Sequence, residues 1–247
     1  MPELHPLQER VGRVGAYLLD DGNGLTLIDA LGKKDGRTIL AKLAQLSRDV
    51  GDIRRIILTH GHVTHVKGAA ALKLKTGAEV YAAVQERDVI EGRAPSGKTT
   101  WIPQRPWQVL PQQYLLNLNR VFWRFGIRVG LLTPPPVEIE HFLQDGERIG
   151  PVYVIHTPGH SPGSTSFYWP EMETLFAGDA VVTWPRYELG WKGLTEDFSQ
   201  NIQSIRKLID VCRLNKWTIR RIATGHGDIR ETADGVAELD ELVAAAQ

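Results

Sequence analysis

The chain has 247 residues, and its 29 Lys plus Arg balance 29 Asp plus Glu, so the formal net charge is zero with His neutral. A chain without a global positive field is not built to gather polyanions, which argues against nucleic acid as the main partner. A hydrophobic share of 42% with 23% charged residues argues against disorder, and the one cysteine, Cys212, excludes both an intramolecular disulfide and a cysteine-rich zinc module. No basic-then-apolar segment opens the chain and no uninterrupted apolar run reaches the roughly 18 residues of a spanning helix, so a cytoplasmic protein is expected.

In chain order, Val14 to Leu19 and Leu25 to Ile28 read as strands. They flank Asp21-Gly22-Asn23-Gly24, a strong hairpin signal. Residues 36–50 carry Ile39, Leu40, Leu43 and Leu46 at helical spacing. Arg55 to Leu58 reads as a buried strand ending at Thr59-His60. A helix is expected over about 65–75, a strand over 79–82 and a helix over about 84–91. Residues 95–137 differ in character: prolines frame an apolar, aromatic stretch from Tyr114 to Leu132 in which Arg120, Arg124 and Arg128 recur every four residues. That spacing places three guanidinium groups on one helical face. The stretch reads as a lid-like helical insertion with an Arg-rich outer face; contact of 114–132 with a membrane surface or a second copy competes with this, and a phosphate-binding strip is the least favoured reading. Strands are expected again over 137–139, 149–155, 164–169 and 174–176. A helix over about 199–211, a strand over 218–223 and a last helix over about 231–246 complete a single α/β domain spanning 1–247.

Eight histidines occur, and five of them sit in Gly- or Thr-rich turns after expected strands. His60, His62 and His65 fall within six residues, His160 lies in Thr157-Pro158-Gly159-His160, and His226 lies in Gly225-His226-Gly227. Asp179 follows Gly178 in a turn of the same kind. A lone histidine is more often structural than a ligand. Three in one short turn, with two more and a carboxylate at other strand ends, point to a metal, since neutral imidazoles bind zinc and a catalytic site keeps an open position for water. Iron or manganese suits the same donor types. His156 reads as a strand-end residue, His5 and His141 have no neighbours that suggest chemistry, and Ser161 to Ser164 reads as a turn that fixes the His160 loop. No serine nucleophile of the α/β-hydrolase type and no nucleotide-binding glycine signature is read.

These motifs, in this order, resemble the metallo-β-lactamase superfamily over about residues 11–227. The family's His-x-His-x-Asp-His is matched by His60-Gly61-His62-Val63-Thr64-His65, followed by His160, Asp179 and His226. The resemblance implies an αββα sandwich of two mixed β-sheets flanked by helices, with metals at one edge of the sheets. It implies that His60, His62 and His160 hold a first metal, that His65 and His226 hold a second, and that Asp179 bridges them. The chain departs from the motif at Thr64, which stands where the family has aspartate, and Lys67-Gly68 stands where many relatives have Gly-Gly. A neutral hydroxyl in place of a carboxylate weakens the second cation site, so one tight zinc and a weaker or altered second site are expected.

The chemistry implied is attack of metal-activated water on an ester, lactone, amide, thioester or phosphoester, with a lactone, ester or related acyl substrate favoured. Asp179 is the carboxylate left in the cluster. Tyr187, a few residues beyond it, is a candidate proton donor whose alternative is a packed loop aromatic. Asp179 stands where true β-lactamases of the family usually carry Cys or Ser, which makes an amide-hydrolysing β-lactamase a lesser alternative. Only 21 residues follow His226, too few for the helical domain expected of a glyoxalase II. Trp101, Trp107, Tyr114, Phe122, Trp123, Trp184 and Trp191 are candidates for an apolar pocket suited to an acyl chain, although each alone reads more readily as core than as substrate contact. The rival function is a non-catalytic or weakly active metal-binding protein of the same fold, and Thr64 is the residue that favours it. A small-molecule substrate is the expected partner, and a homodimer is compatible with the sequence.

Overall fold

The computed structural model describes residues 1–95 and 133–246. The lid-like stretch, with Trp101, Trp107, Tyr114, Phe122, Trp123 and the arginine row, lies outside the described residues but for its flanks.

Two six-stranded mixed sheets pack face to face with helices on the outer faces. The first sheet has the order β1 (Glu3–Gln8), β2 (Gly15–Asp20), β3 (Leu25–Ile28), β4 (Ile53–Ile57), β5 (Glu79–Ala82), β6 (His141–Phe142). Its first two pairings are antiparallel, and β3 to β6 run parallel. The second sheet has the order β12 (Arg230–Glu231), β11 (Arg221–Thr224), β10 (Thr174–Gly178), β9 (Thr165–Trp169), β8 (Val152–His156), β7 (Arg148–Ile149), with only β10 and β11 parallel. The helices are α1 (Arg37–Gln45), α2 (Val63–Val66), α3 (Ala69–Thr76), α4 (Arg87–Ile90), α5 (Phe198–Asn215) and α6 (Gly235–Ala245).

The period-two alternation of each strand builds this layering. On β2, Tyr17 and Leu19 face the second sheet and meet Phe167, Trp169 and Phe176, whereas Ala16 and Leu18 face outward with Ile39, Leu43 and Leu72 of the helices. On the far side, Tyr168, Leu175 and Ile222 pack against Ile205, Leu208 and Ile209 of α5 and Leu239 of α6. Each fully buried apolar side chain contributes about 1.5–3 kcal/mol relative to exposure. Asp197 caps α5 by accepting from Gln200 N, and Asp234 caps α6 by accepting from Ala237 N.

Several expected boundaries shift. Strand β1 carries one fully buried residue, Leu7, and sits at the sheet edge where Pro6 is tolerated, so it has almost no hydrophobic signature. The helix expected over 65–75 is two helices separated at Lys67-Gly68, and that over 84–91 is a 3-10 turn, Val84–Glu86, followed by α4. The strand expected over 137–139 is extended chain, with pairing displaced to His141–Phe142. Among the described residues, no helix is long and apolar enough to cross a membrane.

Candidate metal centre

All six ligand candidates sit in turns or short elements that follow strands. His60 follows β4, His62 caps α2 and His65 lies within it; His160 follows β8, Asp179 follows β10 and His226 follows β11. The two sheets lie face to face, so these strand ends bring residues 166 positions apart in sequence to one edge. Two groups form: His60, His62, His160 and Asp179; and His65, Asp179 and His226. Within each group the candidate ligand atoms lie within 4.8 Å of one another.

Asp179 stands between the groups. Its Oδ2 is 3.3 Å from His160 Nε2, 3.3 Å from His226 Nε2 and 3.7 Å from His60 Nε2, and its Oδ1 is 3.5 Å from His65 Nε2. His62 Nδ1 and His160 Nε2 face each other at 2.9 Å, and His65 Nε2 and His226 Nε2 at 3.4 Å. Gly225 makes the crowding possible, because a Cβ there would stand 1.9 Å from Asp179 Oδ1.

The outer nitrogens of four imidazoles are engaged, that of His160 by a long 3.5 Å contact with Thr195 Oγ1, which turns the inner nitrogens into the site. Asp29, buried at a positive φ of 59°, accepts from Thr59 N at 2.8 Å, from Thr59 Oγ1 at 2.8 Å and from His65 Nδ1 at 3.0 Å. Because Thr59 Oγ1 donates to Asp29, it accepts from His60 Nδ1, at 2.9 Å. His226 Nδ1 donates to Gly12 O at 2.6 Å. Such outer bonds fix tautomer and ring orientation at metal sites.

The donor set fits a divalent metal. His60 Nε2 and Asp179 Oδ1 are buried without a hydrogen-bond partner, a costly condition for polar atoms in a protein interior unless another ligand meets them. Electrostatics agree for the first group. Burial, reinforced by neighbouring imidazoles, holds His60 and His62 well below the ordinary histidine range. Burial likewise lowers His160 to about 4. These rings are neutral near pH 7, as ligands must be. Burial also opposes charge on Asp179, but His226, His65 and His160 outweigh it and hold the carboxyl well below its ordinary value. His65 differs: burial lowers it, yet Asp179 and Asp29 together raise it above the ordinary value.

A family model described as metallo-beta-lactamase superfamily matches residues 10–226. The chain belongs to the metallo-beta-lactamase superfamily. It is 31% identical over 167 residues to the uncharacterized protein YobT of Bacillus subtilis (strain 168), a match covering 68% of this chain and 61% of YobT. The matched region is therefore about three fifths of that relative's length. It is 26% identical over 222 residues to the hydroxyacylglutathione hydrolase GloC of Haemophilus influenzae, covering 86% of this chain and 84% of GloC. Among solved structures, TTHA1623 in a di-iron-bound form superposes with a TM-score of 0.62 at 23% identity, covering 92% of this chain and 94% of that one, which shows the shared fold.

Two further residues expected to matter in this superfamily member take unequal places. Thr64, at the motif aspartate's position, is exposed. Tyr187 packs with the cluster formed by α5 and α6, and the Arg230 guanidinium stands 4.4 Å over its ring, contacts that suit the packed loop aromatic of the two alternatives. Gly159-His160-Ser161-Pro162-Gly163 does spell the Gly-x-Ser-x-Gly pattern. It links β8 to β9 rather than a strand to a helix, and Ser161 Oγ is buried and donates to Glu86 at 2.7 Å. A serine nucleophile thus remains unsupported. Trp191 lies against His226 with ring centroids 4.5 Å apart, and Trp184 meets Trp191 at 5.8 Å. Sequence reasoning missed Asp29 and Glu86; an acidic residue directly after the β3 apolar run was the available sign of the first.

Proposed function

We propose that the protein is a metal-dependent hydrolase of a lactone, ester or thioester, with zinc as the expected metal and iron or manganese as compatible alternatives. The observation that carries this reading is the convergence of five imidazoles and Asp179, with inner nitrogens presented and buried atoms left without partners. His60, His62 and His160 would hold a first cation, His65 and His226 a second, with Asp179 shared. A divalent metal at such a site lowers the pKa of water to about 7 and polarises a carbonyl.

The chain's own residues supply the rest. Asp29 and Thr59 hold His65 and His60 in the tautomers that face inward. Asp179 is the one carboxylate in the cluster; its neighbouring imidazoles hold it ionised, so it would carry the negative charge of the site as the shared ligand. Trp191, beside His226, with Trp184 behind it, provides an apolar wall for an acyl group. The extensive match to a hydroxyacylglutathione hydrolase of similar span removes the objection to a thioester that rested on the short C-terminal stretch.

The test is turnover of γ-lactones, p-nitrophenyl esters and S-acyl thioesters by metal-loaded protein, with loss of activity in His62→Ala. The absence of turnover at full metal content would favour the second reading, a non-catalytic or weakly active metal-binding protein. Thr64 in place of the motif aspartate is what supports that alternative.

A further inference from the structure

Glu86 is 4% exposed at the end of the 3-10 turn before α4, more than twenty residues from any ligand candidate. Its carboxylate accepts from two separate loops. Oε2 takes Gly61 N at 2.8 Å, and Oε1 takes Ser161 Oγ and Gly163 N, each at 2.7 Å. Gly61 lies between His60 and His62, and Ser161 follows His160. One buried carboxylate therefore spans the two loops that supply the first group of imidazoles.

Both loops are shaped around it. A Cβ at Gly61 would stand 2.7 Å from Glu86 Oε2, and a Cβ at Gly163 would stand 2.6 Å from Glu86 Cγ. Ser164 Oγ accepts from Ser161 N at 2.9 Å and lies 2.8 Å from Ser161 Oγ, which orders the second loop for its bond to the carboxylate. An ionised carboxylate in an interior costs several kcal/mol unless hydrogen bonds meet it. An apolar side chain would fill the same space without that cost. What the carboxylate adds is two oxygens that hold backbone N–H groups of different loops at a fixed separation.

We propose that Glu86 is a positioning residue for the first metal group: it sets the spacing between the His60–His62 loop and the His160 loop, so that three imidazoles converge before a cation arrives. The proposal rests on the metal-dependent reading of the site. With Glu86 removed, the backbone bond from Thr165 N to Thr59 O, 2.9 Å, and the 2.9 Å contact between His62 and His160 themselves are left to span the two loops.

Cobalt(II) titration of the full chain, followed by ligand-field absorption, tests it. A His226→Ala background leaves the first group and a His62→Ala background leaves the second. In the first background Glu86→Ala is expected to lower cobalt affinity about tenfold to a hundredfold and to alter the absorption envelope. Glu86→Gln, which keeps one oxygen for Ser161 and Gly163, is expected to lower it less. In the second background neither change alters affinity. Equal losses in both backgrounds, or an unchanged affinity and spectrum in the first, overturn the proposal; if Glu86→Ala does not fold, Glu86→Gln is judged by the same criteria. Failure of the parent His226→Ala protein to bind cobalt overturns the metal reading itself, and this proposal with it.

Discussion

The two halves of the centre are built on opposite electrostatic terms. His60, His62 and His160 are buried among one another, and burial keeps them neutral. His65 sits between two carboxylates, Asp29 and Asp179, which favour its charged form. The first half offers lone pairs; in the second half a proton competes with a cation for the same ring. A carboxylate facing the second group would tilt that competition toward metal, and the sequence offers the neutral Thr64 between His62 and His65. Burial keeps a histidine neutral as a ligand must be, whereas a carboxylate behind the ring favours metal and proton alike.

The comparison breaks most directly at His160. His160→Ala is expected to abolish tight binding of the first metal equivalent and the hydrolysis that depends on it, as read by elemental analysis and turnover. Two equally tight sites in the unaltered chain would contradict the contrast at once. Thr64→Asp sharpens it from the other side: a carboxylate at that position is expected to strengthen the second site about tenfold to a hundredfold, seen as a second tight step in a zinc titration. Asp29→Asn is expected to weaken the second site about tenfold through the lost orientation of His65, with a smaller effect on the first through Thr59. Acid separates the groups by sign. The unfolded chain binds protons on His60, His62 and His160 that the folded, metal-free chain refuses, so stability falls as pH drops from 6.5 toward about 4, the lowered value of His160. Asp179, held ionised, adds a loss in the same direction at lower pH, and His65, raised, opposes it. Thermal unfolding of metal-free protein across this range is expected to show a falling midpoint. The smallest effect belongs to Tyr187→Phe: the hydroxyl is buried without a partner, so its removal is expected to leave turnover unchanged and stability within about 1 kcal/mol or slightly higher.

The layered fold and the convergence of the candidate ligands were legible because both rest on local patterns: alternation along Gly15–Asp20 and Thr165–Trp169, and histidines beside glycine or threonine at strand ends. Strand β1 was not legible, since an edge strand needs little apolar surface. Glu86 and Asp29 were not legible either, because their roles depend on partners 25 to 77 residues away for Glu86 and 30 or 36 away for Asp29. The surroundings of Tyr187 were not legible for the same reason, since Arg230, over its ring, is 43 residues away in sequence.

The bond from His226 to the carbonyl of Gly12 joins positions 214 residues apart. Gly12 lies between the first two strands of one sheet and His226 follows a strand of the other, so the ring is steered across the sandwich. The second candidate group therefore takes shape only once the two sheets have met, whereas His60 and His62 share one short loop.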